Sequence, residues 1–529
     1  MPTHEVFNQV PPLVDYDLAA ADPLLLSLVK EGAPWAVDEV RQFGWEAAST
    51  DGYDLGFDAN ENPPRLVTHD RYGNRLDQVD FHPAWHQLLR RSVGAGLHSL
   101  PWEANADPGS HLARTALTFL ASQIEAGHFC PISMTYAVHP ALRQEPELAR
   151  FWNPLLTSRV YDPLFAPPER KQGALIGMGM TEKQGGSDVR AGTTRAEPAS
   201  EGYLVTGHKW FTSAPMNDAF LILAQTDRGL TCFLLPRHRP DETVNQIRIM
   251  RLKDKLGNRS NASAELEFDG AWAVRIGEEG RGVAAIIEMV NGTRLDCVTG
   301  SAALMRQAVS QAIHHCRHRR AFGAALIDKP AMTNVLADLE IEVEAAVALM
   351  ARVAVSFDRA DDEQEQALRR LLVPIAKFLV TKRCTEVVHE ALECLGGNGF
   401  VEESIMPRLL RESPLNAIWE GSGNVIALDV LRAARTHPES VEALRSEIAG
   451  LPQAGDAIER LAHADEGQAR FVTERLGVLL QAGLLVKHAA PEVSDLFLAT
   501  RVEGGGGRIY GTLPSQQGLD TVVERAIPL

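Results

Sequence analysis

The sequence predicts a multidomain α+β protein: a helical N-terminal domain, a central antiparallel β-sheet or barrel domain, a helical bundle and an added helical C-terminal domain. The chain has 529 residues, 45% of them apolar, which suffices for about three to four domains of roughly 100–200 residues. Runs rich in β-branched and aromatic residues are confined to the middle of the chain, and helical periodicity occupies both flanks. We therefore predict domain boundaries at 1–173, 174–280, 281–440 and 441–529.

The N-terminal domain is predicted to begin with an irregular or loosely helical arm of about 60 residues, because short apolar clusters alternate there with turn residues. From Asp80 to Ala166 the pattern becomes helical. In 111–127, for example, apolar side chains recur at spacings of three and four.

The β domain is predicted from short runs of strand-forming residues separated by turns about every ten residues, a pattern typical of antiparallel sheets. These runs begin at Tyr203, Ala219, Leu230 and Ala264. After Gly280 the helical period returns, and long apolar stripes such as 332–353 are typical of helices in a bundle. Residues 441–529 are predicted to form further helices, with a flexible loop at the four glycines 504–507.

The overall charge limits the classes of partner. With 69 acidic and 52 basic residues the formal charge is −17, which opposes attraction to nucleic acid or to an anionic membrane. No apolar run approaches the ~18 residues of a membrane span, and the N-terminus lacks the apolar core of a signal peptide. The six cysteines are too sparse for a disulfide framework. We expect a soluble cytoplasmic protein with reduced thiols.

Several motifs are absent from the sequence. It contains no P-loop, HExxH or EF-hand pattern, and Glu420-Gly-Ser-Gly lacks the first glycine of a GxSxG elbow. Neither Gly177-Met-Gly179 nor the glycines at 396–399 form a dinucleotide fingerprint between a strand and a helix. The histidines and cysteine of 314–320 would point in several directions on a helix, so we predict no metal site there.

Two segments of the β domain are candidate cofactor contacts. In 177–188, glycines accompany Thr181 and Ser187, so backbone N–H groups and hydroxyls could wrap a pyrophosphate; a plain turn is the alternative. In His208–Ser213 a tryptophan and two hydroxyls would lie on successive faces of one strand, although an ordinary buried strand is also consistent with it.

Five motifs in order carry a family resemblance. GMTEKQGGSDV, GHKWFTSA, RRAFG, LGGNGF and WEGSGN together resemble the acyl-CoA dehydrogenase flavoprotein family. Within that family VFNQVPPL, FHPAWHQLL, FCPISMT and KLGNRSNAS resemble the branch associated with the adaptive response to DNA alkylation. The resemblance runs from about His4 to Arg435 and implies the acyl-CoA dehydrogenase fold, in which the helical bundle is a C-terminal four-helix bundle, with FAD as cofactor.

The resemblance also implies the residues around FAD. Within one subunit the implied contacts are Met178, Gly179, Met180, Thr181, Gly186, Ser187, Trp210, Phe211, Thr212, Ser213, Trp419, Gly421, Ser422, Gly423 and Asn424. Thr181 would lie near the flavin ring, Ser187 at the pyrophosphate and Thr212 toward flavin N5. In family members the positions of Arg319, Phe322, Gly396 and Gly397 reach the FAD of a neighbouring subunit, which implies a homo-oligomer, usually a tetramer.

Glu420 matches the catalytic base of the family, although a glutamate in a turn is also commonly a surface charge. The chemistry needs a carboxylate to take the weakly acidic α-proton of an acyl-CoA thioester while the β-hydride leaves for flavin N5. Trp419 replaces the family's tyrosine beside this base, and Pro330 and Glu393 stand where relatives have glutamines. These departures predict a reshaped acyl pocket and weak turnover.

The resemblance implies an alternative function, a flavin-containing protein that binds double-stranded DNA and protects it from alkylation. Arg432 is the candidate DNA contact, with an ordinary helix-end arginine as the other interpretation. Residues 441–529, which would hold the DNA, contain 8 basic and 12 acidic residues. Because DNA affinity depends on neutralised phosphates, this net charge of −4 favours the enzyme.

Overall fold

A computed structural model describes residues 3–528 and divides the chain into two compact units that alternate along the sequence. One, here the helical unit, comprises the chain up to Tyr53, Pro108–Ile124 and the chain from Arg294 onward. The other, here the sheet unit, comprises Asp54–Asp107 and Glu125–Thr293.

In the sequence, helices come before and after the central β region, and the last of them lie in the C-terminal part of the chain. In order they are α1 Pro23–Gly32, α2 Val37–Ala47, α3 Thr50–Glu61, α4 Pro83–Gly94, α5 Ser110–Ile124, α6 Phe129–Leu142, α7 Pro146–Leu156, α8 Gly282–His318, α9 Pro330–Asp358, α10 Glu363–Cys394, α11 Met406–Glu412, α12 Gly423–Thr436, α13 Pro438–Glu447, α14 Ala454–His463, α15 Ala469–His488, α16 Pro491–Phe497 and α17 Leu519–Arg525. None of those in the described residues is both long and apolar enough to cross a membrane.

The strands form one large sheet and two hairpins. They are β1 Arg65–His69, β2 Arg75–Asp80, β3 Ile176–Gly179, β4 Arg195–Ala199, β5 Gly202–Ser213, β6 Ala219–Thr226, β7 Gly229–Pro236, β8 Ile247–Leu252, β9 Ser263–Ile276, β10 Arg320–Ala321 and β11 Ala324–Ala325. The large sheet contains β3 to β9. The predicted α+β fold class, with helical regions before and after a central sheet in the sequence, is therefore confirmed.

The sheet is mostly antiparallel, as predicted, but two of its pairings are parallel. β3 pairs with β6 in parallel, with Ile176 opposite Ala219, and β4 meets β6 in parallel at Arg195 and Gln225. The chain leaves β3, forms β4 and β5, and only then returns to β6, so no tight turn constrains β3 and β6 to run in opposite directions.

The N-terminal arm, expected to be irregular or loosely helical, is helical from Pro23 onward, in α1, α2 and α3. Asp22 precedes α1, and its carboxylate accepts a hydrogen bond from the backbone N–H of Leu25 (2.9 Å). Pro23 occupies the first helical position, where its missing N–H has no cost. An aspartate and a proline before an apolar run is a helix-start signal that the sequence interpretation passed over.

The long helices of the helical unit follow the predicted periodicity. The apolar stripe predicted at 332–353 lies within α9, where every stripe residue from Leu336 to Val353 is buried. The C-terminal segment is helical in α13 to α17, and Gly504–Gly507 lie outside helices. The cysteines form no disulfide among the described residues.

Candidate functional site

In the sheet unit, the loop that follows β3 is packed against β5. The backbone N–H of Trp210 donates to the carbonyl oxygen of Thr181 (2.8 Å). A Cβ at Gly186 would lie 2.3 Å from Thr181 Oγ1, and one at Gly179 would lie 2.8 Å from Thr212 Oγ1. Both threonine hydroxyls therefore approach backbone at distances that only glycine permits.

A buried ion pair anchors this loop. Glu182 Oε1 accepts from Lys209 Nζ (2.9 Å), and both side chains are almost completely buried. Glu182 also accepts from the backbone N–H groups of Thr193 (2.6 Å) and Thr194 (3.1 Å). Burial opposes ionisation of Glu182, but these hydrogen bonds and Lys209 outweigh it and hold its pKa far below the usual range. The sequence interpretation missed both residues, although Glu182 lies inside the motif.

The end of β5 has an irregular register, which corrects the simple alternation expected for His208–Ser213. The pairing with β9 shifts between Lys209 and Thr212. Trp210 and Phe211 lie in this bulge, with Trp210 half-buried and Phe211 53% exposed. Beyond the bulge Thr212 is fully buried, and its Oγ1 has no hydrogen-bond partner within residues 3–528.

Cationic side chains surround the two aromatic rings of the bulge. Lys253 Nζ lies 3.4 Å from the ring centroid of Trp210 and 4.7 Å from that of Phe211. Lys183 Nζ and the Arg251 guanidinium each lie 5.6 Å from the Trp210 centroid. Lys253 and Arg251 both pair with Glu265 (2.6 Å each), and Lys183 pairs with Glu267 (3.8 Å), so three cations and two carboxylates leave a formal charge of +1 beside the aromatic faces. This small excess of positive charge suits a flat, negatively charged ligand.

In the helical unit, the backbone around Glu420 is held by two cations. Lys377 Nζ donates to the carbonyl oxygens of Trp419 (3.0 Å) and Gly421 (2.5 Å). Arg294 Nε donates to the carbonyl oxygen of Glu420 (3.2 Å), and its Nη1 pairs with Asp429 (2.9 Å). Three consecutive carbonyls thus receive charge-assisted hydrogen bonds.

This clamp, Lys377 and Arg294, fixes an unusual conformation. Glu420 has a φ of 56°, in the left-handed region that residues other than glycine rarely adopt. Such strain persists only where the surroundings determine it and is frequent at functional sites. Lys377 is 1% exposed, and burial lowers its pKa.

The clamp was missed from the sequence. Lys377 is the one charged side chain between Leu371 and Thr381 in α10, in a run that is otherwise apolar, and that was an available signal.

The remaining predicted residues of this loop lead into α12. The Trp419 indole Nε1 donates to Asn416 Oδ1 (2.8 Å), which fixes the ring. Ser422 immediately precedes α12, Gly423 is buried in its first turn, and the Asn424 side chain accepts from Arg470 (3.1 Å). The structure therefore brings residues 419–424 together around the clamp.

The residues expected to contact a neighbouring subunit lie on two tight turns. Phe322 and Gly323 form the turn between β10 and β11, and Phe322 is 95% exposed. Asn8 fastens this hairpin, since its side chain exchanges two hydrogen bonds of 2.9 Å with the backbone of Arg320 and its carbonyl accepts from Arg319 (2.5 Å). A Cβ at Gly396 or Gly397 would meet nothing within 4 Å.

Arg432, the candidate DNA contact, lies on α12 with its side chain 72% exposed. It pairs with Asp429, the carboxylate that also binds Arg294. Its charge is therefore partly neutralised within the helical unit.

Comparison with known families identifies the chain. Residues 8–163 match the model of the adaptive response protein AidB N-terminal domain, 177–271 the acyl-CoA dehydrogenase middle domain and 280–434 the acyl-CoA dehydrogenase C-terminal domain. The putative acyl-CoA dehydrogenase AidB of Escherichia coli K12 is 44% identical over 96% of this chain and 95% of its own length. The chain belongs to the acyl-CoA dehydrogenase family, in its AidB branch.

Two solved structures share the fold over almost the whole chain. The chain is similar to Caenorhabditis elegans ACDH-11 in complex with C11-CoA, with 27% identity, a TM-score of 0.83 and coverage of 100% of this chain and 95% of the other. It is also similar to the apo form of Bd2924, with 29% identity, a TM-score of 0.84 and coverage of 92% and 100% respectively.

The acyl-CoA dehydrogenase family is flavin-dependent, and the sheet unit of this AidB-type chain fits an FAD. The buried Thr212 hydroxyl lacks a partner in the described residues, as a group that hydrogen-bonds a cofactor would. Gly179 and Gly186 let the Thr212 and Thr181 hydroxyls pack against the backbone at positions where a side chain would not fit, which holds this loop close to β5. The cations at Trp210 match the negative charge of a pyrophosphate-bearing ligand.

Proposed function

We propose that this AidB-type chain is an FAD-dependent oxidoreductase that dehydrogenates an acyl-CoA or a related small molecule, with Glu420 as the base. The observation that carries the proposal is the strained backbone of Glu420, held by Lys377 and Arg294. A surface glutamate gains nothing from such a clamp, whereas a base must be held in one position to act on a substrate proton.

The proposed role of Glu420 is to take the α-proton of the thioester. Its neighbours keep it in position: Lys377 and Arg294 hold the backbone, and Asn416 orients the Trp419 indole that we propose forms part of the acyl pocket. An indole is larger than the phenol that the family usually carries at this position. We therefore propose slow turnover and selectivity for acyl chains that fit beside Trp419.

For the cofactor, we propose that Met178–Ser187 and Trp210–Ser213 hold FAD. The Thr212 hydroxyl would donate to the flavin, Thr181 would lie beside the ring, and Ser187 would bind the pyrophosphate. When bound, FAD supplies the hydride-accepting chemistry that amino acid side chains lack. The Glu182–Lys209 ion pair would keep the loop in its binding conformation.

We also propose that the chain acts as a homo-oligomer, most simply a tetramer. The support is the nearly complete exposure of Phe322 on a hairpin that Asn8 fastens, together with the open space at Gly396 and Gly397. A rigidly held, exposed aromatic side chain is typical of a residue that a partner covers.

The test is anaerobic reduction of the flavin. The purified holoprotein is mixed with a panel of thioesters that includes isovaleryl-CoA and C11-CoA, and the flavin absorbance is followed. We expect bleaching by at least one thioester, and Glu420→Gln should slow it by about 10²–10⁴-fold, as for loss of a general base.

The matched control is Glu403→Gln, an exposed glutamate of the same unit, which should reduce at the wild-type rate. Absorbance that stays unchanged across the panel, or equal rates in the two variants, would contradict the proposal.

A further inference from the structure

A separate cavity in the sheet unit has the features of a second binding site. Its volume is about 140 Å³, and it lies between α4, the segment 158–175 and the turn 214–218. Ile176 pairs in parallel with Ala219, so the cavity adjoins the beginnings of β3 and β6. The Thr181 loop leaves the opposite end of β3. The cavity is therefore distinct from the proposed flavin contacts.

Aromatic rings form much of the wall. Phe81 and Trp85 stack with a centroid distance of 3.8 Å and an interplanar angle of 15°. His86 stands edge-on to Trp85 and hydrogen-bonds through Nδ1 with the hydroxyl of Tyr161 (2.7 Å). Burial lowers the pKa of His86, so the ring is neutral at pH 7. These rings pack on one another and together form an aromatic wall of the cavity, against which another flat ring could pack.

Size and charge restrict the ligand. An apolar cavity of about 150 Å³ binds benzene, so one aromatic ring fits a cavity of 140 Å³ while an acyl-CoA or FAD does not. The lining contains Lys171, which pairs with Asp218 (2.6 Å), and also Asp162. Arg90 and Arg237 pack on the lining rings of Tyr161 and Phe165 but do not line the cavity themselves. The lining residues carry one positive and two negative groups, and the one lining ammonium, Lys171, is already paired, which disfavours an anionic ligand.

Two buried donors of lining residues, Asn217 Nδ2 and Trp85 Nε1, lack a hydrogen-bond partner within the described residues. Asn217 is 5% exposed, and its Nδ2 has no hydrogen-bond partner anywhere in the described part of the chain. A buried donor without a partner costs roughly 1–3 kcal/mol. A ligand carbonyl oxygen beside Asn217 would remove that cost. The side-chain amide of Asn217 can rotate toward that oxygen without breaking any hydrogen bond that its NH₂ group donates.

From these observations we propose that the cavity binds a small, uncharged, single-ring aromatic molecule that carries a carbonyl group. The rings of Phe81, Trp85 and His86 would hold its face, and Asn217 would donate to its carbonyl oxygen. The proposal is independent of the proposed dehydrogenation, because the cavity shares no residue with the Thr181 loop or with the loop that carries Glu420.

Benzamide is the probe, and its binding to the holoprotein is followed by tryptophan fluorescence and by saturation-transfer NMR. We expect saturable binding at micromolar to millimolar concentration. Benzoate, which adds a negative charge, and cyclohexanecarboxamide, which lacks the flat ring, should each bind at least about tenfold more weakly. Absence of saturable benzamide binding up to about 10 mM, or tighter binding of benzoate, would overturn the proposal.

Two substitutions of lining residues test whether benzamide binds in this cavity. Asn217→Leu should weaken benzamide by about three- to tenfold, the effect of one hydrogen bond. Ala174→Leu, which adds volume to the wall, should abolish binding. The control is Asn153→Leu, a half-buried amide of the same unit whose Oδ1 also lacks a partner in the described residues but which does not line the cavity. Equal affinities in Asn217→Leu and wild type would overturn the assignment of Asn217.

Competition between benzamide and acyl-CoA tests whether this cavity is separate from the flavin site. Benzamide should leave the flavin spectrum unchanged, and acyl-CoA should not displace bound benzamide. Displacement would place the probe at the dehydrogenation site and overturn the second site. Failure of the thioester panel to bleach the flavin would leave the benzamide result unaffected, so the two proposals fail independently.

Discussion

Removal of the Lys377 ammonium tests whether the clamp around Glu420 serves stability and activity together. In Lys377→Met the helix and the approximate side-chain volume are kept, but the carbonyls of Trp419 and Gly421 lose their donor. Each hydrogen bond from a charged donor contributes about 1.5–3 kcal/mol. The gross loss is therefore about 3–6 kcal/mol.

The net effect is smaller, because the substitution also removes a buried charge. Burial lowers the pKa of Lys377, which shows that its charged form is destabilised there. If that relief offsets roughly a third of the loss, the helical unit is destabilised by about 2–4 kcal/mol. In a unit of this size we expect the Tm to fall by roughly 5 °C.

The loop should also lose its conformation. The left-handed backbone of Glu420 costs about 1–3 kcal/mol, and the clamp is what maintains it. Without Lys377 the loop can relax, so we expect thioester-dependent flavin reduction to slow by about 10–100-fold. Scanning calorimetry measures the first effect, and stopped-flow absorbance measures the second.

Lys487→Met is the matched control, since Lys487 is an exposed lysine on α15 of the same unit. Its effect on stability should stay within about 0.5 kcal/mol. A Lys377→Met protein with wild-type Tm and wild-type reduction rate would refute the reasoning. A lower Tm with an unchanged rate would show that the clamp stabilises the unit without positioning Glu420.

Two further predictions concern the sheet unit. Gly186→Ala places a Cβ 2.3 Å from Thr181 Oγ1, so the loop must shift and FAD affinity should fall by roughly tenfold in an apoprotein titration, whereas Gly94→Ala, which meets nothing within 4 Å, should bind normally. Burial, aided by nearby positive charge, lowers the pKa of His139 to about 3. Its contribution to stability is present above the unfolded pKa of about 6.5 and is lost as pH falls toward 3. His139→Phe should flatten the dependence of Tm on pH between 6.5 and 4, and an unchanged slope would contradict this assignment.

The sequence predicted the order of the architecture because hydrophobic periodicity reports directly on burial. The stripe at 332–353 lies in α9, and the strand-like runs lie in β5, β6, β7 and β9. The bulge at Trp210 was not predictable from alternation alone, because it depends on how β5 pairs with β9. The parallel pairing of β3 with β6 likewise depends on contacts that no local pattern encodes.

The candidate site, too, was predicted only in part. Family motifs identified Glu420 and the Thr181 loop, but not the residues that hold them. Lys377 reaches the loop from α10, 42 residues away in sequence from Trp419, and Lys209 reaches Glu182 from 27 residues away. Such partners become visible only when the fold is known. The lone lysine in the apolar segment 371–381 of α10 was the one sign that a buried charge would need acceptors.

The alternation of the two units along the sequence has a consequence for synthesis on the ribosome. Asp22 binds Arg306, which lies 284 residues later and also forms two hydrogen bonds with Glu340 (2.7 and 2.9 Å). All three side chains are almost completely buried, so the carboxylate of Asp22 has no compensating charge until its partners emerge. The N-terminal helices therefore cannot complete these contacts until the intervening sheet unit has been translated. Exposed apolar helices during that interval would be natural substrates for chaperones, and contacts of such high sequence separation slow folding.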